Sequence, residues 1–173
     1  EDSLMRVIKL KESQTKKITE EILSILEKKE NKTKNSAPEL KLISDNFFAN
    51  KGRLPWPVLT GSIVSKFGNI PHPVLSGIKI MNNGIEISTY NNKVRSVFNG
   101  EVSKIIVLPT GLKVVIIRHG EYLTVYSNLY MVNVNVGHQV KTKENIGTLY
   151  VNKIKENTVL GFQIWKDRQK LNP

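Results

Sequence analysis

The stretch Lys93 to Arg118, KVRSVFNGEVSKIIVLPTGLKVVIIR, decides the fold class. Apolar and polar residues alternate along Lys93 to Phe98, Glu101 to Val107 and Leu112 to Arg118, the period of a strand that turns one face to a core. Asn99-Gly100 and Pro109-Thr110-Gly111 separate the three runs and supply the turn-forming residues that hairpins need. The same pattern continues outward through Ile78-Lys79-Ile80 on one side and Val132 to Val136 on the other. Further turn signals stand at Asn82-Asn83-Gly84, Asn91-Asn92, His119-Gly120 and Gly137. Short strands at this spacing, from about Leu54 onward, imply an all-β sandwich or barrel.

The chain before Leu54 reads as helix. Ile18, Ile22, Leu23, Ile25 and Leu26 share one face, and Leu4 and Ile8 continue an approximate heptad upstream, interrupted by Lys11 and Thr15. A stripe this narrow has little to bury by itself, which fits the end of a longer coiled coil. Glu27 to Asn35 holds no apolar residue and reads as a frayed end or linker. A second helix is expected from Ser36, where Ser36 and Glu39 form a capping box and Pro38 is tolerated in the first turn. Leu40, Ile43 and Phe47 form its apolar edge, and Gly52 and Pro55 end it. Those three anchors are either permanent core or a docked element that can leave, and the spacing serves both. The division expected is a helical arm over residues 1–50 and a β domain over residues 51–173.

Composition narrows the chemistry. The 173 residues carry 26 Lys and Arg against 15 Asp and Glu, a net charge of +11, with no Cys and three His. Residues 51–173 hold +10 of that charge. Nucleic acid is not the expected partner, because the Lys residues are scattered, aromatics are few and no nucleic-acid module is recognisable. An acidic protein face or an anionic cell-wall polymer suits the charge better, and a solvated basic surface needs no partner. The longest aliphatic runs, Ile105 to Leu108 and Val114 to Ile117, have four residues, far short of the ~20 needed to cross a bilayer as a helix. Without Cys there is no disulfide framework and no thiolate metal site. The chain begins at Glu1 and reads as a processed or cloned fragment, so any signal peptide or anchor would lie upstream.

Eight segments, in order, resemble the lysostaphin/LytM-type zinc metallopeptidases (peptidase family M23). They are Ser65-Lys66-Phe67-Gly68 with His72-Pro73; Asn83-Gly84-Ile85-Glu86-Ile87; Val94 to Val102; Val114 to Gly120; Tyr126-Ser127-Asn128-Leu129; Val134-Asn135-Val136-Gly137; Ile146-Gly147; and Leu160 to Trp165 with Leu171-Asn172-Pro173. The resemblance implies a duplicated hybrid motif, sandwich- or barrel-like, behind an α-helical arm. It also implies zinc held by the His and Asp of an H-x-x-x-D motif and the second His of an H-x-H motif. The first His of H-x-H and a Tyr-x-His-Leu histidine assist the attacking water. Those positions fall on Asn82 and Glu86, on Val159 and Gly161, and on Asn128, so every histidine is replaced. One carboxylate among amides, an aliphatic side chain and a glycine cannot assemble a catalytic zinc, which needs about three imidazole, thiolate or carboxylate ligands. No metal, no cofactor and no catalytic residue are expected.

Within the family the sequence resembles the EnvC-like murein hydrolase activators, through the lost ligands, the preceding helix and the junction NFFANKGRLPWPV, Asn46 to Val58. That resemblance implies an exported, periplasmic or envelope protein that activates N-acetylmuramoyl-L-alanine amidases in cell separation through the former active-site groove. It implies helices that can cover the groove, a division-associated membrane transporter complex acting through the coiled coil, and contact with peptidoglycan. The groove residues expected are Asn82, Asn83, Glu86, Tyr126 and Asn128, followed by Val159, Gly161, Gln163, Trp165 and Lys166. Other readings of them remain open: Asn82 and Asn83 also suit a turn, Glu86 a solvated carboxylate, and Gly161 a bulge or a groove floor. Trp165 and Tyr126 suit either an anchor for a partner helix or core. The competing functions are a peptidase with a relocated metal site and a peptidoglycan-binding scaffold.

Overall fold

The computed structural model describes residues 2–30, 38–72, 74–151, 154 and 157–173. Two helices, α1 (Asp2–Glu30) and α2 (Pro38–Ala49), precede twelve strands. The strands are β1 (Ser62–Ser65), β2 (Gly68–Pro71), β3 (Lys79–Asn82), β4 (Ile85–Thr89), β5 (Lys93–Arg95), β6 (Gly100–Val107), β7 (Lys113–His119), β8 (Tyr122–Val132), β9 (Gln139–Val140), β10 (Asn145–Leu149), β11 (Thr158–Lys166) and β12 (Gln169–Leu171).

Ten strands form one antiparallel sheet in the order β1-β4-β11-β8-β7-β6-β9, with β10 joining β5 to β8 and β12 lying on β11. The strands β2 and β3 pair apart as a ribbon. The stretch Lys93 to Arg118 becomes β5, β6 and most of β7; in β7 the run Val114 to Ile117 is buried on both faces, so alternation does not extend to it. The strand expected over Val132 to Val136 does not form: β8 ends at Val132, and the Asn133 N–H crosses to Ile146 O at 3.0 Å. Sequence alternation also missed β8, because Tyr122 to Tyr126 is buried without a break and a strand covered on both faces loses its period of two.

Asn128 is the pivot of the sheet. Up to Ser127, β8 pairs with β11; from Leu129 it pairs with β10. Between them Asn128 takes φ 70°, a left-handed conformation that Asn tolerates better than most residues. Its Nδ2 donates to Val159 O at 3.2 Å, tying the departing strand back to β11.

Both faces of the sheet are covered. On one face Val94, Val97, Val102, Val115, Ile117, Leu129, Ile146, Leu160 and Phe162 form the larger core. Helix α2 enters it through Phe47, whose ring stacks on Tyr122 at 4.7 Å and His119 at 5.0 Å and meets Phe98 edge-on at 5.5 Å. Ser44 Oγ accepts the Glu121 N–H at 2.8 Å beside it. Of the anchors expected for α2, Phe47 is core and Ile43 is half-buried, while the Leu40 side chain and the Ser36 cap lie outside the described residues. The other face carries Ile106, Leu108, Val114, Ile116, Leu123, Val125 and Trp165, and Ile18, Ile22 and Leu26 of α1 close over them. The stripe that looked too narrow to bury anything is the part of α1 that docks. Upstream, Leu4, Met5, Val7 and Leu10 stay exposed. No described helix is long and apolar enough to cross a membrane.

Candidate functional site

The alternation of β11 sorts the expected groove residues. Leu160, Phe162 and Ile164 point into the larger core, whereas Trp165 faces α1. Val159, Gly161 and Gln163 share the parity of Trp165 and therefore its face. Gln163 Oε1 accepts the Trp165 Nε1–H at 2.9 Å, fixing the indole on this face of the sheet. Gly161 lies opposite Ser127 on β8 and Glu86 on β4. A Cβ at Gly161 would run into Ser127 Oγ, so glycine is what lets this serine close over the strand. On β4, Ile87 is buried in the larger core, which turns Glu86 and Ser88 to the side of α1.

Two expected residues belong elsewhere. Tyr126 is fully buried in the larger core, on the opposite face, where its phenol oxygen accepts the Val97 N–H at 3.0 Å and lies 3.2 Å from Thr124 Oγ1. Burial pushes its pKa up. Lys166 has the parity of Ile164; its ammonium lies 5.2 Å from the Tyr122 ring centroid and 3.7 Å from Glu121, away from the groove. Both placements follow from the period of two once the strand registers are known.

Of the residues that remain, Asn83, Glu86 and Trp165 are met by α1. Lys11 Nζ lies 2.7 Å from Glu86 Oε1. The Asn83 Nδ2, on a buried side chain, donates to Thr19 Oγ1 at 3.5 Å. Glu21 pairs with Lys104, and Glu27 lies 3.9 Å from Arg168. Lys17 donates to Val107 O at 3.1 Å, and Gln14 Nε2 to Thr110 Oγ1 at 3.3 Å. Lys11, Thr19, Glu21 and Lys104 are site residues that sequence reasoning missed. Their signal was the break in the heptad, since Lys11 occupies a seam position only because its partner is a carboxylate.

Residues 80–173 match peptidase family M23. The chain belongs to this family. It is similar to the cell division protein DipM of Caulobacter vibrioides, 32% identical over 104 residues, which are 58% of this chain and 16% of that protein. Among solved structures, a chain of the SpoIIQ–SpoIIIAH pore-forming complex is similar at 25% identity and TM-score 0.55, covering 69% of this chain and 87% of the other. Csd3 of Helicobacter pylori is similar at 27% identity and TM-score 0.57, covering 69% of this chain and 33% of Csd3. The match spans about one-sixth of the length of DipM.

The residues that the resemblance places at the zinc positions, Asn82, Glu86 and Gly161, and at the water-assisting positions, Asn128 and Val159, do not fit the ion. The Asn82 amide donates to Ser65 Oγ at 2.9 Å and Lys66 O at 3.0 Å, fixing the end of β3 to the chain beyond β1. Glu86 is ion-paired with Lys11, Asn128 is committed to Val159 O, and Val159 and Gly161 carry no donor. One carboxylate is short of the three ligands a catalytic zinc requires. The three histidines stand apart from these positions, each in a hydrogen bond of its own. His72 Nδ1 accepts the N–H groups of Val74 at 3.2 Å and Leu75 at 2.9 Å. His138 Nε2 lies 2.8 Å from Glu144 Oε1. His119 Nδ1 donates to Asn99 O at 2.6 Å, its Nε2 lies 2.8 Å from Thr124 Oγ1, and burial lowers its pKa to about 4. Among the described residues no three His, Asp or Glu side chains gather as a metal site.

Proposed function

We propose that this M23 chain is a non-enzymatic activator of peptidoglycan N-acetylmuramoyl-L-alanine amidases in bacterial cell division and separation. It works in the periplasm or cell envelope, and the former active-site groove receives the partner. In the conformation described, α1 fills that groove and holds it closed. The observation that carries this reading is the cover itself: Ile18, Ile22 and Leu26 bury Trp165, and Lys11 occupies Glu86, the one carboxylate left at a family ligand position. A surface whose catalytic ligands are replaced and which is covered by a detachable segment suits binding rather than hydrolysis.

Two likenesses support the reading. DipM is a cell division protein, and a similar chain is found in a complex of two different proteins. The regulatory role falls to α1, because Phe47 makes α2 part of the larger core. Exposed Leu4, Val7 and Leu10 leave the first turns of α1 open for an upstream coiled coil, through which a membrane transporter complex would pull. Peptidoglycan is a further contact of the activated complex.

The test is amidase activity on purified cell walls with the whole chain and with Ile22→Glu, which undocks α1 and leaves the larger core intact. Stimulation that rises with the variant supports the reading. Cell-wall cleavage by the chain alone, sensitive to chelator, would assign it to the peptidases instead.

A further inference from the structure

A cavity of about 340 Å³ opens on the face of the sheet turned away from α1, and neither the zinc positions nor the proposed groove includes any of it. Its walls are Phe47, Ile85, Phe162 and Ile164, with Trp56 at the rim, and two ammonium groups, Lys51 and Lys166, stand at its edge. The volume is within the range of small-molecule pockets and accommodates roughly ten groups of ~30 Å³ each, the size of a medium-length alkyl chain.

The chemistry of the walls selects among occupants. A peptide threaded into the cavity would bring N–H and C=O groups that need partners, but apart from Lys51, Lys166 and Asn172 the lining side chains are aliphatic or aromatic. The neutral polar side chains around the cavity are those of Trp56, Tyr122 and Asn172 alone. An occupant without internal polar groups fits, and the positive rim fixes its head. Lys51 is exposed and makes no ion pair among the described residues, whereas Lys166 is shared with Glu121 at 3.7 Å. From this we infer that the cavity binds a single-chain amphiphile with an anionic head, of the fatty-acid class, its chain between Phe47 and Phe162 and its carboxylate at Lys51.

Trp56 reports on the site, because the second tryptophan, Trp165, is buried on the opposite face beneath α1. The experiment titrates the whole chain with dodecanoate brominated along its chain and reads tryptophan quenching. The result expected is saturable quenching at one equivalent, lost in Trp56→Phe. Unlabelled dodecanoate should compete at least tenfold better than dodecanol. Lys51→Glu should weaken binding by at least threefold, and Ile63→Tyr, at the mouth of the cavity, should block it. Both substituted positions are exposed, so the variants fold. Absent or non-saturating quenching, quenching retained in Trp56→Phe, equal competition by dodecanol, or indifference to both variants would overturn the inference. Binding to anionic phospholipid vesicles without dodecanoate quenching would assign the cations to a membrane surface and overturn it equally. The proposal stands apart from the groove, because neither Lys51 nor Ile63 touches α1.

Discussion

The Lys11 ammonium lies 2.7 Å from the Glu86 carboxylate, joining the first half of α1 to β4. The Lys11 side chain is 64% exposed, and an ion pair so open to water contributes about 0.2–1 kcal/mol. It therefore sets the register of the helix rather than its grip. Lys11→Glu should raise amidase stimulation by less than about fivefold, and Lys11→Glu combined with Glu86→Lys should restore the original level. A tenfold effect of the single variant would show that the pair, not the apolar stripe, holds α1.

The grip resides in Ile18, Ile22 and Leu26 over Ile116, Leu123, Val125 and Trp165. Truncating a fully buried isoleucine costs ~2–5 kcal/mol. Ile22→Ala should therefore raise the fraction of open groove, and with it apparent partner affinity, by more than tenfold. Hydrogen exchange should show faster exchange in α1 with β7 and β8 still protected; loss of protection throughout would show that α1 is part of the folding unit.

Phe47 answers a different question. It belongs to the larger core through Tyr122, His119 and Phe98, so Phe47→Ala should cost ~3–5 kcal/mol of global stability, read as a lower denaturant midpoint. For the same reason a truncation that tests release of α1 must keep α2. Removing residues 1–50 would delete Phe47 and confound unmasking with unfolding.

His119 predicts a pH dependence. Its ordinary pKa of 6.5 falls to about 4 in the folded chain because burial disfavours the imidazolium. The unfolded chain thus binds more protons between these values, so stability is full above pH 6.5 and declines as pH falls toward 4. The loss is up to about 3 kcal/mol by proton linkage. Urea midpoints measured from pH 7 to pH 4 should fall accordingly, and His119→Gln should flatten the profile. An unchanged slope in that variant would place the dependence on another group.

The fold was legible along β6, where buried Val102 and Ile106 stand among more open residues, and harder to read where both faces are dry, as in Val114 to Ile117 and Tyr122 to Tyr126. The site was legible only as positions: the resemblance places Asn82, Glu86 and Gly161 at ligand positions and Asn128 and Val159 at those of the histidines that assist the water. Its sidedness was not. Tyr126 and Lys166 face away from the groove, a fact carried by registers between distant strands. The docking of α1 was half visible: the stripe at Ile18, Ile22 and Leu26 was present, but nothing local says that its partner is β7 and β8 rather than a second helix. Lys11, which interrupts the heptad in the sequence, is explained only by Glu86, 75 positions later.

One measurement bears most directly on the claim that α1 closes a partner-binding groove. The chain has no Cys, and the Thr19 and Asn83 side chains meet at 3.5 Å, so Thr19→Cys with Asn83→Cys places a reducible lock between α1 and the groove without competing thiols. Amidase stimulation by this variant should be abolished when oxidised and return on reduction to at least the level of the unmodified chain. Equal stimulation in the oxidised and reduced states, with the disulfide verified, would contradict the account.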